Sequence, residues 1–248
     1  APEVPAAPTA VRGDKQATVS WVAPNAQGCA ISEYRITASD GAVQTAPAGA
    51  TSHAFTSLLN GTAYTFTVTA INEVVTVDGG TANTSPASNA VTPAGAPFAT
   101  NVTEAVNTGV RQVRVSWNAA NPNGSPITGY EMSVNGGAWT PVGNVTTVTR
   151  NEASNGATYT YQVRAVNDVG AGAAVGGTQS ATTWTYPGNP TVSASATEGR
   201  VNASWTAPTN GGTALTGHEA KLVSGSTGCG TGGTTRTNPG SPESWTGL

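Results

Sequence analysis

The residue types that usually carry out chemistry are few in this chain, and their spacing brings none of them together. The 248 residues include two histidines, His53 and His218, and two cysteines, Cys29 and Cys229. A nucleophile with its base, paired carboxylates or clustered metal ligands would indicate an enzyme. No such set repeats around either histidine, and no histidine is spaced to join the cysteines in a metal site. The sequence predicts a non-catalytic protein without a cofactor or metal.

Two other sets of residues could bind a metal or form a disulfide. Glu73 and Asp78 share one polar loop and could hold calcium weakly, but calcium prefers about 6 to 8 oxygen ligands, so we expect a solvated loop. Cys229 could pair with a cysteine outside this sequence, Cys29 of one chain could meet Cys229 of another, or both thiols could be unpaired. We expect no disulfide between them within one chain.

Arg12, Gly13 and Asp14 spell RGD, a tripeptide that some animal adhesion receptors bind. Alternating apolar residues stand on both sides of it, as in two short strands. The tripeptide therefore lies in the tight connection of a predicted hairpin, where glycine tolerates a positive φ and aspartate bonds to the backbone. Turn chemistry explains these residues, and we predict a turn, not a receptor site.

Composition indicates many short strands. Only 9% of the residues are charged and the net charge is -3, so no basic surface indicates nucleic acid or anionic membranes as partners. No apolar run approaches the roughly 18 residues of a membrane span. Val, Ile, Tyr and Trp recur in short alternating runs between turn residues, which predicts an all-β protein of two or three domains.

The chain contains three copies of one pattern. A strand with apolar residues two and four positions before a tryptophan occurs at Trp21, Trp117 and Trp205. A second strand follows each, with Tyr34, Tyr130 or His218 at the same position. A third strand begins with Asn-Gly and a tyrosine in the first two copies only, at Tyr64 and Tyr159. The seven tryptophan and tyrosine residues of this pattern are predicted to be core: Trp21, Tyr34, Tyr64, Trp117, Tyr130, Tyr159 and Trp205.

This pattern resembles the fibronectin type III repeat. The tryptophan of the second strand, the tyrosine of the third, and the Asn-Gly-x-x-Tyr entry to the sixth with its trailing Ala-x-Asn carry the resemblance. It implies tandem immunoglobulin-like, seven-strand Greek-key β-sandwiches, with Tyr64 and Tyr159 at the tyrosine corner. The low lysine content and the abundance of Thr, Ala and Gly are similar to bacterial and bacteriophage members.

The resemblance also predicts domain limits. Proline-bearing connectors place copy one at residues 1–93, copy two at 94–184 and a partial copy three at 185–248. Copy three stops at Leu248, where the last two strands should begin. We expect the natural chain to continue beyond Leu248; completion of this sandwich by another chain is the alternative.

The resemblance also bears on where binding sites could lie. It places the integrin-binding RGD of the family on the loop between the last two strands, and the corresponding loop here, residues 72–88, has no RGD. Trp184 and Tyr186 lie between copies two and three, where we expect them to pack. Trp139 is a candidate for an exposed ring at a sugar or protein interface. Asn-x-Ser/Thr triplets include those at Asn60, Asn83, Asn101, Asn144 and Asn202, and they matter only in a cell that glycosylates secreted proteins.

Three functions fit these features. The first is a non-catalytic structural or adhesive component of an extracellular assembly, such as a surface filament or virion appendage, whose partners are proteins, including copies of itself. The second is a spacer of a secreted polysaccharide-degrading enzyme. The third is a carbohydrate- or receptor-binding module, which is weakly supported. Each predicts an extracellular, cell-surface or virion location without membrane insertion.

Overall fold

The computed structural model describes residues 1–74, 83–174, 179–223, 234–237 and 243–246. The described part is made of antiparallel strands and contains no α-helix. This confirms the predicted all-β class. The strands, in chain order, are β1 Thr9–Gly13, β2 Gln16–Ser20, β3 Glu33–Ala38, β4 Val43–Pro47, β5 Ser52–Thr56, β6 Phe66–Ile71, β7 Val102–Gly109, β8 Gln112–Trp117, β9 Gly129–Val134, β10 Thr140–Gly143, β11 Thr147–Asn151, β12 Thr158–Val166, β13 Gln179–Thr182, β14 Val192–Thr197, β15 Arg200–Trp205, β16 Glu219–Leu222, β17 Thr234–Thr237 and β18 Glu243–Thr246.

Copies one and two have the same two-sheet arrangement. In copy one, the strand orders are β1-β2-β5 and β4-β3-β6. In copy two, they are β7-β8-β11 and β10-β9-β12-β13. Strands that are distant in sequence therefore pair in both copies, as in an immunoglobulin-like sandwich. The strand β13 has an irregular counterpart in copy one, where the backbone nitrogens of Ser85 and Ser88 donate to the carbonyl oxygens of Val68 and Phe66.

Each of the two complete copies has a hydrophobic core of its own, because alternate side chains of both sheets point between them. The tryptophan of the second strand packs on the tyrosine of the third in both cores. The ring centroids are 5.1 Å apart for Trp21 and Tyr34, and 5.7 Å apart for Trp117 and Tyr130. The two apolar clusters share no residue, so each copy has a core of its own, as a separate domain does.

Tyr64 and Tyr159 make the hydrogen bonds expected at a tyrosine corner. The hydroxyl oxygen of Tyr64 accepts a hydrogen bond from the backbone nitrogen of Leu59 at 3.2 Å. That of Tyr159 accepts one from Ser154 at 3.0 Å. Both bonds reach back five residues, as at a tyrosine corner, and hold the Asn-Gly loop that precedes each tyrosine.

Copy three is described only in part, and its two sheets leave an open core. The sheets have the strand orders β14-β15-β18 and β16-β17. Val192 lies opposite Trp205 as Val102 lies opposite Trp117, yet Val192 is 60% exposed and Val102 only 2%. An apolar cleft of about 490 Å³ lies between the sheets, lined by Val192, Val201, Trp205 and Leu215 among others.

A candidate functional site at the joint between copies one and two

The RGD residues belong to a hairpin, as the sequence indicates, but the turn differs in detail. Arg12 and Gly13 end β1, and the turn itself is Asp14-Lys15 before β2. The positive φ, 56°, falls on Lys15 and not on Gly13. The Asp14 carboxylate accepts a hydrogen bond from the side-chain nitrogen of Asn60 rather than from nearby backbone. Asn60 belongs to copy one, and its side-chain nitrogen also bonds to Asn123 of copy two.

We use two names for the surfaces that meet here. The tail face of copy one consists of the β1–β2 turn, with Arg12 and Asp14, and the loop of Asn60 and Gly61. The head face of copy two consists of the turn 121–125 with Asn167 and Asp168. Both are ends of a sandwich, where connecting segments leave the sheets and backbone polar groups need partners.

An ion pair joins the two faces. The guanidinium group of Arg12 donates to the Asp168 carboxylate, which also accepts a bond from the Ser125 hydroxyl at 2.5 Å. The Ser125 hydrogen bond, followed by the hydrogen bond and charge of Arg12, lowers the pKa of Asp168 below its ordinary value of 3.8. Because both side chains are about half exposed, we expect this pair to orient the copies more than to stabilise them.

Amide side chains form a second link. The side-chain nitrogen of Asn60 donates to Asp14 at 2.7 Å and to the side-chain oxygen of Asn123 at 2.8 Å. Asn123 in turn donates to the carbonyl oxygen of Ala96, in the connector, at 2.8 Å. One chain of hydrogen bonds therefore runs from the tail face through the head face to the connector, and each added bond limits the rotation between copies.

The closest approach involves two glycines. The backbone nitrogen of Gly61 donates to the carbonyl oxygen of Pro93 at 2.9 Å. Gly124, with φ of 93°, packs directly on this bond: a Cβ atom there would lie 2.5 Å from that oxygen and 2.7 Å from that nitrogen. Only glycine allows this contact, because it has no Cβ and tolerates the positive φ.

A buried asparagine, Asn167, bonds to the connector and to the head-face turn. The side-chain nitrogen of Asn167, which is 4% exposed, lies near the carbonyl oxygens of Gly95, Pro122 and Ser125, at 2.9, 3.1 and 3.4 Å. These oxygens come from the connector and from the head-face turn. Asn167 thus fixes the connector against copy two. Its side-chain nitrogen also gives these carbonyl oxygens a hydrogen-bond donor.

Sequence reasoning missed this joint. The RGD residues are not a freely available receptor site, because Arg12 and Asp14 both bond to partners in the joint. The signal that could have found it is the pairing of Asn-Gly loops at the ends of adjacent copies, Asn60-Gly61 and Asn123-Gly124. The arrangement can hold two domains in one orientation.

The candidate interaction residue Trp139 lies on copy two, away from the joint. The guanidinium carbon of Arg164 lies 4.6 Å from the centroid of the indole ring, in a cation–π contact. Arg164 also donates to the Glu131 carboxylate at 2.7 Å. One face of the ring is therefore covered, which leaves a smaller surface for stacking on a sugar.

Trp184 and Tyr186 differ in their surroundings. Trp184 is half-buried, and its carbonyl oxygen accepts a bond from the backbone nitrogen of Arg111 at 3.0 Å. Tyr186 is 75% exposed. The packing expected for both rings between copies two and three therefore does not extend to Tyr186, which points into solvent.

The histidines and cysteines, the other candidates for chemistry, lie in separate places. His53 is a strand residue bonded to Gln44 at 3.0 Å, and His218 lies in the third copy beside the open cleft. Cys29 is a free thiol; Cys229 and Asp78 lie outside the described residues. In the part of the chain that the structure describes, no three His, Cys, Asp or Glu residues come together as metal ligands, and no helix is long and apolar enough to cross a membrane.

The fold and the joint define a class of protein: a tandem of antiparallel β-sandwiches linked end to end. The family model for the fibronectin type III domain matches residues 3–85 and 95–179. The chain belongs to the fibronectin type III family, as its tryptophan and tyrosine pattern predicted. Such domains are generally structural or binding modules of extracellular proteins and typically are not catalytic.

The chain is similar to the crystal structure of chicken CNTN1 FN1-FN3 domains, at 14% identity, with 100% of this chain and 89% of that chain covered and a TM-score of 0.39. A search of curated proteins found no match.

Proposed function

We propose that the chain is a non-catalytic structural component of an extracellular assembly, such as a surface filament or virion appendage. In this role the repeats hold surfaces at fixed positions and contact neighbouring proteins, including copies of the same chain. The observation that carries the proposal is the joint between copies one and two, where an ion pair, an amide chain and a glycine contact all act between two separate cores.

A fixed joint suits a structural role because a flexible connector would let the domains tumble independently. Domains of one chain move relative to each other by default unless their interface restrains them. The contacts described above restrain this pair at three separate points. A lateral array needs such restraint, since identical copies must present the same surface at the same angle.

The cleft of copy three is suited to a further strand. In the described residues, the half-buried Trp205 and the exposed Val192 line the cleft between its sheets. Apolar surface of this kind, next to strand edges, favours pairing with a strand of the same chain or of a neighbouring protein.

Size-exclusion chromatography with light scattering tests the proposal. Residues 1–248 are compared with a form ending at Trp184, which keeps both complete sandwiches and removes copy three. We expect the long form to associate as its concentration rises while the short form stays monomeric. Monomeric behaviour of both forms at every concentration would contradict self-assembly.

A further inference from the structure

The joint recurs between copies two and three. The backbone nitrogen of Gly156 donates to the carbonyl oxygen of Thr183 at 2.8 Å, as Gly61 donates to Pro93. Gly212 packs on this bond as Gly124 does on the first: a Cβ atom there would lie 2.9 Å from both that nitrogen and that oxygen. The chain thus builds the same glycine contact twice with different neighbouring residues.

The turn that receives this contact is present in all three copies. In each, two successive residues have positive φ: Gln27 and Gly28 in copy one, Asn123 and Gly124 in copy two, Gly211 and Gly212 in copy three. In each, an asparagine side chain accepts a bond from a backbone nitrogen of the turn, at 2.9 to 3.1 Å. Such bonds fix the turn before any partner arrives.

The connector also enters each copy in the same register. The backbone nitrogen that follows an entry proline donates to the turn in each case: Glu3 to the carbonyl oxygen of Asn25, Phe98 to that of Asn121, and Gly188 to that of Thr209, at 2.9 to 3.0 Å. The prolines are Pro2, Pro97 and Pro187. Copy one is therefore entered as copies two and three are.

The charged part of the head face is repeated as well. Glu73 follows Asn72 in copy one as Asp168 follows Asn167 in copy two. The Glu73 carboxylate neighbours the Cys29 thiol and raises the pKa of that thiol, and the Asp168 carboxylate accepts a hydrogen bond from the Ser125 hydroxyl at the equivalent position. The side-chain nitrogen of Asn72 donates to the carbonyl oxygen of Cys29 at 3.1 Å, as Asn167 bonds to that of Ser125.

One difference remains at the head face of copy one, which consists of residues 25–29 with Asn72 and Glu73. No described atom lies within 4 Å of a Cβ atom built on Gly28. The equivalent glycines of copies two and three both touch the Asn-Gly loop of another repeat. Gly28 thus has the conformation of a docking residue, with none of the described residues docked on it.

We propose that the head face of copy one docks the tail face of another fibronectin type III repeat. The partner carries an Asn-Gly loop, like that of Asn60 and Gly61, and a basic residue at the position of Arg12 that pairs with Glu73. This inference rests on the proposed structural function and extends it, because a chain with such a face can continue a row of repeats in the geometry of its own internal joints.

An extended chain tests this docking. Residues 1–95 are placed directly ahead of Ala1, which reproduces the connector register, since Ala1-Pro2 then takes the place of Ala96-Pro97. Cys29 and Cys229 are replaced by Ser. Pairs of spin labels report the distance across the new joint in one sample and across the joint between copies one and two in another.

Matched variants make the test specific. Gly28→Ala in the original copy one places a methyl group where the partner's loop would dock, whereas Gly41→Ala is the control, because Gly41 has φ of 89° and equally open surroundings. Both variants carry the same backbone strain. Glu73→Arg removes the charge complement, and Arg12→Glu in the added repeat restores it.

We expect a narrow distance distribution across the new joint, loss of the narrow peak with Gly28→Ala but not with Gly41→Ala, and recovery when the two charge changes are combined. A broad distribution across the new joint, together with a narrow one between copies one and two, would overturn the inference alone. Broad distributions at both joints would overturn the proposed function as well.

Discussion

At Gly124, a Cβ atom would meet two backbone atoms, the oxygen of Pro93 and the nitrogen of Gly61, at 2.5 and 2.7 Å. Backbone atoms cannot move aside as a flexible side chain can, so the joint must open to accept a methyl group. Gly136 offers a matched comparison. It also follows an asparagine of positive φ, with a φ of 70° of its own, and no atom of the described residues lies within 4 Å of its Cβ position.

We predict that Gly124→Ala separates copies one and two while Gly136→Ala leaves them joined. Each variant should lower the stability of copy two by about 1 kcal/mol through backbone strain alone. Amide chemical shifts of Asn60 and Gly61, which lie on the other copy, report the joint. Unchanged shifts in Gly124→Ala would show that this contact does not hold the copies together.

Asp168 gives the joint a dependence on pH. The Ser125 hydroxyl, on the same copy, and Arg12, on copy one, lower its pKa from the ordinary 3.8. Only the part due to Arg12 depends on the joint, and it favours the joined state when the carboxylate is charged. The favourable contribution is complete above the pKa of the separated copies and is lost as pH falls through the lower pKa of the joined state. The effect is confined to acid below about pH 4.

The corresponding prediction is that acid weakens the joint in the native chain and has less effect in Asp168→Asn, whose joint is already weaker at neutral pH. In one pH titration, the Asp168 carboxyl resonance measures protonation of this group, and the Gly61 amide shift measures the state of the joint. A Gly61 amide shift that stays constant while Asp168 titrates would show that the ion pair does not stabilise the joint.

At the scale of elements, the tyrosine corner of copies one and two holds the Asn-Gly loop at the end of each. Tyr64 and Tyr159 each accept one backbone hydrogen bond from five residues upstream. We predict that Tyr64→Phe and Tyr159→Phe each destabilise their own copy by about 1 kcal/mol. Thermal unfolding followed copy by copy measures this loss. Tyr186→Phe is the control, and a loss equal to that of the corner variants would contradict the assignment.

The strands and the cores could be predicted because period-two alternation and the tryptophan and tyrosine pattern are local signals. Trp21, Tyr34, Trp117 and Tyr130 are buried in two disjoint cores. The joint could not be predicted in the same way. Arg12 and Asp168 are far apart in sequence and meet only after two domains have folded, so neither residue carries a local sign of the contact.

The turn at Arg12, Gly13 and Asp14 illustrates the same limit. Turn residues were expected to account for the tripeptide by themselves. The structure instead places the positive φ on Lys15 and directs Asp14 toward Asn60. Local turn preferences predicted where the hairpin lies, whereas the bonding partner of Asp14 is Asn60, in a loop 46 residues further along the chain.

At the scale of the whole molecule, the same contact occurs at two successive joints. Gly61 with Gly124, and Gly156 with Gly212, bring one repeat against the next through the same backbone geometry. The ion pair and the amide chain are additions found at the first joint. A backbone contact that recurs while its side chains vary can propagate one orientation along a row of repeats.

The central claim is that copies one and two are held in a fixed orientation. Spin labels at Val43, on β4, and at Thr149, on β11, both exposed, measure the distance between the copies after Cys29 and Cys229 are replaced by Ser. The account predicts one narrow distance distribution that broadens in Gly124→Ala. A distribution already broad in the unaltered joint would contradict it.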